Sequence, residues 1–427
     1  MSFERKELMR GVFFNTVRET KFKASLVSLR FVVPLAKETA AKNALLFPVL
    51  LRGCEQYPNI GSIRREEESI YDTGISDSVY KRGDDQILEV RMSLLDNQYA
   101  IDGMDIAGEA MSLLENILLH PVTENGVFRE DYVESEKQKL IDDIRAQVND
   151  KRRYAAMRLV EEMFEGDPFS VSELGTVEDA SDVCPASLWE QYKEVFSRAH
   201  VEIFAVGNLN FEALASRFAE MFATVSRGEP YMLSTSVMRS ARETVKTVYE
   251  RQNITQGKLV LGFFTGHSVP DGDYHVMQVL NTVYGAGVTS KLFLNVREKL
   301  SLCYYCSSAE NGQKGYMTVS SGIEFSNEKK ASDEILLQLE NIKNGVLTES
   351  ELSDAKLALI DSAARVGDNT GSILNWYFSC VMDGALITPE EKIEKFRSVT
   401  AEQVVRMARD IRLDTYYFLC GKEEAAK

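Results

Sequence analysis

The chain has 427 residues, 44% hydrophobic and 27% charged, with 26 Gly and 9 Pro, long enough for more than one core and too apolar for disorder, collagen or a low-complexity tail. Its 49 basic and 65 acidic side chains give a formal charge of −16, which argues against the clustered basic excess of a nucleic-acid footprint. Only four histidines are present, His120, His200, His267 and His275, and no two lie three to five residues apart.

In chain order, the N-terminal stretch MSFERKELMRGVFF carries five charges where a secretory signal would be apolar. With six scattered cysteines (Cys54, Cys184, Cys303, Cys306, Cys380, Cys420), this predicts reduced thiols and a cytoplasmic location. A strand is expected in KASLVSLRFVVPL from Lys23, then a helix around ALLFPVLL (Ala44 to Leu51), the densest apolar run and far too short to span a bilayer. A polar helix and a hairpin turning at Gly83 follow. The pattern then predicts one long helix from about Phe128 to Phe164, a strand in VEIFAVGN and a helix from Phe211 to Ala223. A polar, turn-rich stretch comes next and reads as a linker.

From Lys258 the same order begins again. GKLVLGFFTGHSVP repeats the first strand, and the following helix ends near Gly285 as its counterpart ends near Gly53. Gly83 matches Gly312, Glu115 matches Glu340, Asp142 matches Asp361 and Gly207 matches Gly421, with an offset that shrinks steadily from 232 to 214. A few deletions in a second copy would produce that drift, and chance matches would not. The expected organisation is therefore an N-terminal domain over 1–225, a linker over 226–255 and a homologous C-terminal domain over 256–427. Hairpin-connected strands alternating with helices predict an α+β fold, two α/β domains each with a largely antiparallel sheet packed against helices.

Motifs for chemistry are few. Gly285-Ala286-Gly287 lacks the third glycine of a dinucleotide site and the ending of a P-loop, so a helix end is the plainer reading. Cys303 and Cys306 have CxxC spacing without a second pair at zinc-site distance, and read as packed thiols in a strand. No GxSxG is present.

The repeat, QGKLVLGF at the start of the second half and REKLSLCYY after a helix together resemble the pitrilysin-like superfamily, which includes insulinase and the mitochondrial processing peptidases. The resemblance covers about residues 10 to 422. It is nearest to the non-catalytic subunit of the small bacterial two-subunit zinc peptidases. Active chains of that family carry HxxEH on the first long helix, where two histidines on one helical face hold zinc and the glutamate takes a proton from the bound water. Counted back from Gly53, those positions fall here on Ala44, Phe47 and Pro48, none of which has a side-chain donor atom. The distal carboxylate ligand would fall at Asp142 or Asp143, with Glu136 one or two turns earlier. Pro48 is expected to kink or cut its helix.

The resemblance therefore implies no catalytic and no metal-binding residue in this chain, and no peptidase activity alone. It implies a heterodimer in which a homologous HxxEH subunit brings the zinc. The family's substrate-holding Arg and Tyr, spaced as in R-E-K-x-x-L-x-Y, match Arg297 and Tyr304, which would bind a peptide substrate when the clamp closes. Neither nucleic acid nor membrane insertion is expected. Two alternatives stay open: a scaffold with the peptidase fold and no role in proteolysis, and unorthodox metal ligation by Glu136, Asp142, Asp143 and a remote histidine.

Overall fold

The computed structural model describes residues 2–421. In chain order its strands are β1 (Phe3–Met9), β2 (Val12–Arg18), β3 (Ala24–Pro34), β4 (Gly74–Arg82), β5 (Asp85–Leu95), a two-residue hairpin of β6 (Thr123–Glu124) and β7 (Val127–Phe128), and β8 (His200–Gly207). Then follow β9 (Lys246–Gln252), β10 (Gly257–Phe264), β11 (Cys303–Asn311), β12 (Tyr316–Ile323) and β13 (Arg412–Gly421). Two compact units divide the chain. One is built from Met1–Ala146, Val171–Ser234 and Gly367–Met382, the other from Gln147–Ser170, Thr235–Val366 and Asp383–Lys427.

The first unit holds a six-stranded sheet in the order β1-β2-β8-β3-β5-β4, in which only the β2/β8 pair is parallel. The second holds a five-stranded sheet, β11-β12-β10-β13-β9, in which only β13/β9 is parallel. From β4 to β2 and from β11 to β9 the two sheets have the same topology. The mixed helices and largely antiparallel sheets match the duplicated α/β fold expected from the repeat.

The first unit's helices are α1 (Lys37–Leu50), α2 (Ile60–Ser69), α3 (Ile106–Leu119) and α4 (Glu130–Ala146). The chain then passes to the second unit through α5 (Lys151–Met163) and returns with α6 (Val177–Ser181), α7 (Pro185–Arg198) and α8 (Phe211–Ala223). The second unit adds α9 (Tyr274–Tyr284), a π-helix (Leu292–Lys299), α10 (Glu328–Lys343) and α11 (Glu349–Ala364). Next comes α12 (Thr370–Met382), which belongs to the first unit, and then α13 (Pro389–Ser398) and α14 (Ala401–Ala408).

Each repeat thus lends one helix to the other repeat's sheet. Against the first sheet, α12 buries Ile373, Leu374, Tyr377 and Phe378 beside Val17, Leu26, Val32 and Phe204. Full burial of each such side chain contributes about 1.5–3 kcal/mol. Against the second sheet, α5 buries Ala155 and Leu159 beside Val260, Tyr417 and Leu419. Gly262 permits that approach, because a Cβ there would lie 2.8 Å from Met163 Sδ. Tyr154 and Tyr417 both donate to the Glu250 carboxylate, at 2.8 and 2.7 Å, and tie helix to sheet.

Two expectations need correction. The single helix predicted over Phe128 to Phe164 is two, because the Asp150 carboxylate accepts from the Arg152 and Arg153 amides and starts α5 afresh. Pro48 does not cut α1, which continues to Leu50. The proline stands in the last turn, and Leu51 N still donates to Phe47 O at 2.9 Å; a proline there leaves only one carbonyl of the preceding turn without its amide. The glycines that close the two equivalent helices both serve close approach. A Cβ on Gly53 would lie 2.8 Å from the Pro58 carbonyl carbon, and one on Gly285 2.6 Å from Ser308 Oγ.

Candidate functional site

Of the positions matched to HxxEH, Ala44 and Phe47 lie in the core of the first unit and Pro48 is half-buried. Ala44 is 5% and Phe47 2% exposed, and the Phe47 ring packs on Phe31 with centroids 5.3 Å apart. One residue earlier, Asn43 is fixed from both sides: it donates to Gln86 Oε1 at 2.8 Å and accepts from Gln191 Nε2 at 2.7 Å. The helix is therefore locked with Ala44 and Phe47 turned to apolar neighbours.

The carboxylate beside it is also engaged. Glu136 on α4 is buried and accepts from Arg52, just past the end of α1, at 3.2 Å and from Lys139 at 2.7 Å. Asp142 and Asp143 are exposed, and Asp142 accepts from Gln138 on its own helix at 2.9 Å. Among the described residues no group of three His, Cys, Asp or Glu side chains could hold a metal ion. A zinc ion does not fit: three of its positions offer no lone pair, and the nearby buried carboxylate already balances a guanidinium and an ammonium. The alternative ligand set of Glu136, Asp142 and Asp143 is not assembled. The histidines serve elsewhere, His200 against Glu202 at 2.7 Å and His267 against Asp410 at 3.0 Å.

The second unit presents Arg297 and Tyr304 to solvent. Arg297 stands on the π-helix, its guanidinium over the Phe293 ring at 4.7 Å and its Nε 3.5 Å from Glu298 Oε1. The π-helix ends with Leu300 N donating to Asn295 O at 3.1 Å and Leu302 N to Val296 O at 3.1 Å. Ser301 between them takes a left-handed φ of 50°, a sharp reversal that delivers the chain into β11. Tyr304 is 62% exposed, and its hydroxyl donates to Glu324 Oε1 at 2.9 Å. That hydrogen bond, more than anything else, raises the phenol above its ordinary value.

The strand that carries Tyr304 is the edge of its sheet, with β12 on one side and no strand on the other among the described residues. Farther along, the Ser308 amide donates to Gly285 O at 3.1 Å, so it is the end of the edge nearer Tyr304 that is left for an extended chain. The Arg297 guanidinium and the Tyr304 hydroxyl are donors at the start of this edge, and the field of Arg297 reaches the Cys303 thiol next to Tyr304. Such a set can hold a peptide backbone by its carbonyls. Sequence reasoning did not find Glu324 as the partner of Tyr304 or Arg52 as the partner of Glu136. Only the adjacency of Arg52 to the marker Gly53 hinted at the second.

Comparison with known proteins follows the same lines. The family model described as "Peptidase M16 inactive domain" matches residues 182–359. The chain is 30% identical over 418 residues to the "Probable inactive metalloprotease YmfF" of Bacillus subtilis, covering 97% of each chain. It is similar to the crystal structure of a conserved protein from Enterococcus faecalis at a TM-score of 0.92 and 28% identity, covering 99% of both chains. The fold also recurs in a structure from Pseudomonas fluorescens titled as a peptidase M16 inactive domain, with a TM-score of 0.81 and 19% identity over the whole of both chains. No helix among the described residues is long and apolar enough to cross a membrane. With apolar residues where the zinc ligands would be and a relative named a probable inactive metalloprotease matched over nearly its whole length, the chain belongs to the M16 peptidase family and resembles its inactive, peptidase-like members.

Proposed function

We propose that this chain is the catalytically incomplete subunit of a heterodimeric zinc metalloendopeptidase in the cytoplasm. A homologous partner supplies HxxEH and the zinc, and this chain supplies peptide binding and clamp closure. The observation that carries the reading is the contrast within one polypeptide: the metal positions hold apolar side chains, two of them in the core, while Arg297 and Tyr304 stay exposed at the start of an edge strand.

Bound zinc in the partner supplies an activated water and polarises the scissile carbonyl. The residues of this chain act on the rest of the substrate. An unfolded segment adds to the edge of β11 through main-chain hydrogen bonds, which give affinity with little demand on sequence. Arg297 donates to a substrate carbonyl from a guanidinium whose nearest carboxylate among the described residues is Glu298, at 3.5 Å. The Tyr304 hydroxyl exchanges its acceptor, from Glu324 to the peptide.

The test is a cleavage assay on the chain co-purified with an HxxEH-bearing homologue. Arg297→Ala and Tyr304→Phe are each expected to lower kcat/KM about 10- to 100-fold, with no cleavage by either subunit alone. Full kcat/KM in both variants would overturn the role of the pair. It would favour the scaffold reading, in which Tyr304 serves only to bind Glu324.

A further inference from the structure

The CxxC spacing of Cys303 and Cys306 has no part in the peptide-holding reading. On a regular strand, residues three apart face opposite sides. β11 is not regular there: Cys303 pairs with Ile323 and Tyr305 with Gly322, so Tyr304 is the extra residue of a bulge and Cys306 falls opposite Ser321. Ile323 and Ser321 are two apart on β12 and share a face, so the two cysteines share it as well. Both thiols are free, Cys303 half-buried and Cys306 4% exposed.

The two thiols act on each other as hydrogen-bond partners, beside the fully buried Ser321, whose hydroxyl donates to Tyr305 O at 3.0 Å. The bond from Cys306 holds the Cys303 thiol below its ordinary value, and the Arg297 guanidinium adds to this. The same bond, with burial, pushes the Cys306 thiol well up. One sulfur, on a half-buried residue, is thus drawn towards the nucleophilic thiolate, and the other is a buried thiol that keeps its proton beside it.

We propose that Cys303 and Cys306 are a peroxide-sensitive dithiol that closes to an intrastrand disulfide and thereby resets Tyr304 at the apex of the bulge. The Cys303 thiolate attacks one oxygen of hydrogen peroxide, the O–O bond breaks, and Cys303 becomes a sulfenic acid with loss of hydroxide. The Cys306 sulfur then displaces the sulfenic hydroxyl; its proton and the departing hydroxide make water. Two thiols lose two electrons and two protons, and one peroxide yields two waters. Partners two apart on a strand are separated by about 7 Å, the upper end of the Cα separation a disulfide spans. Closure therefore tightens the bulge, and its apex residue is the one whose hydroxyl meets Glu324.

The thiol chemistry stands apart from the peptide-holding reading, whereas its control of Tyr304 rests on that reading. One tryptic peptide, Leu300–Lys314, contains both cysteines and no other. After titration of the full chain with hydrogen peroxide, that peptide is expected to lose the mass of two hydrogens and to regain it with dithiothreitol. In Cys306→Ser it should instead carry a dimedone adduct on Cys303, and in Cys303→Ser neither product. The proposal is overturned if the wild-type peptide stays reduced while other cysteines react. It is equally overturned if Cys303 reaches sulfinic acid as fast in the wild type as in Cys306→Ser. Affinity for a fluorescein-labelled unstructured peptide reads the second part: oxidation should weaken it and dithiothreitol restore it, with no change in Cys303→Ser. A disulfide that leaves the affinity unchanged would overturn the control of Tyr304. Unchanged affinity in Arg297→Ala and Tyr304→Phe would overturn the peptide-holding reading and leave the mass result standing.

Discussion

The end of α1 in the first unit and the π-helix leading to β11 in the second are both places where chemistry is expected, and the protein treats them oppositely. At α1, Ala44 and Phe47 are apolar and buried, and polar neighbours such as Asn43 and Glu136 are satisfied. At the π-helix the polar side chains are exposed and loosely held, Arg297 by a neighbour at 3.5 Å and Tyr304 by one carboxylate. Buried apolar side chains plug the first place and add to stability, whereas exposed, loosely held polar side chains at the second contribute little to it.

Restoring charge to the plug is the harshest way to break this contrast. Phe47→Glu places a carboxylate at a position 2% exposed against the Phe31 ring, and the expected loss is on the order of 4 kcal/mol or more in urea unfolding, or no folded protein at all. Survival of this variant with wild-type stability would show that the plug is not core.

The hairpin tips of the two sheets offer the next comparison. In the second, the fully buried Lys314 ammonium is met by the Asp167 carboxylate at 2.8 Å. In the first, Asp84 and Asp85 are adjacent and both buried, and burial, then Asp84, push the Asp85 carboxyl up from 3.8 to about 7. A raised folded-state pKa means that the stabilising protonated form is fully present below about pH 4 and lost as pH rises towards 7. Asp85→Asn should therefore raise the unfolding free energy at pH 8, by up to about 4 kcal/mol, and the gain should shrink at pH 5. A pH-independent difference would refute the assignment.

A milder probe is Arg52→Met, which leaves the buried Glu136 with only Lys139. A cost of about 2 kcal/mol is expected, largely recovered when Glu136→Gln is added. Strict additivity of the two changes would show that the pair does not matter to the plug. The smallest effect is expected at the open edge: Arg297→Ala and Tyr304→Phe should each shift stability by less than about 0.5 kcal/mol, even where they cripple cleavage. A large loss of stability at either would make it structural.

Much of the fold was legible because a repeat leaves the same apolar pattern twice: the strands at Ala24 and Gly257, the glycines at 53 and 285 and the turns near 83 and 312 all have counterparts in the structure. The break at Asp150 escaped notice because α4 and α5 continue one helical period, and a capping carboxylate is indistinguishable by type from a solvated one. Arg297 and Tyr304 were named through their motif spacing. Glu324, twenty residues beyond Tyr304, belongs to no local pattern and came together with it only through the β11/β12 pairing and the turn that follows.

The sequence alone determined that the chain is a duplicated α/β unit and that its first helix cannot hold zinc, since periodicity is local and Ala, Phe and Pro have no donor atoms in any fold. Tertiary structure alone decided what fills the vacated positions, that α5 and α12 each serve the other repeat's sheet, and that a bulge turns Cys303 and Cys306 to one face. Those facts depend on pairing register and packing between residues far apart in the chain, which no local pattern encodes.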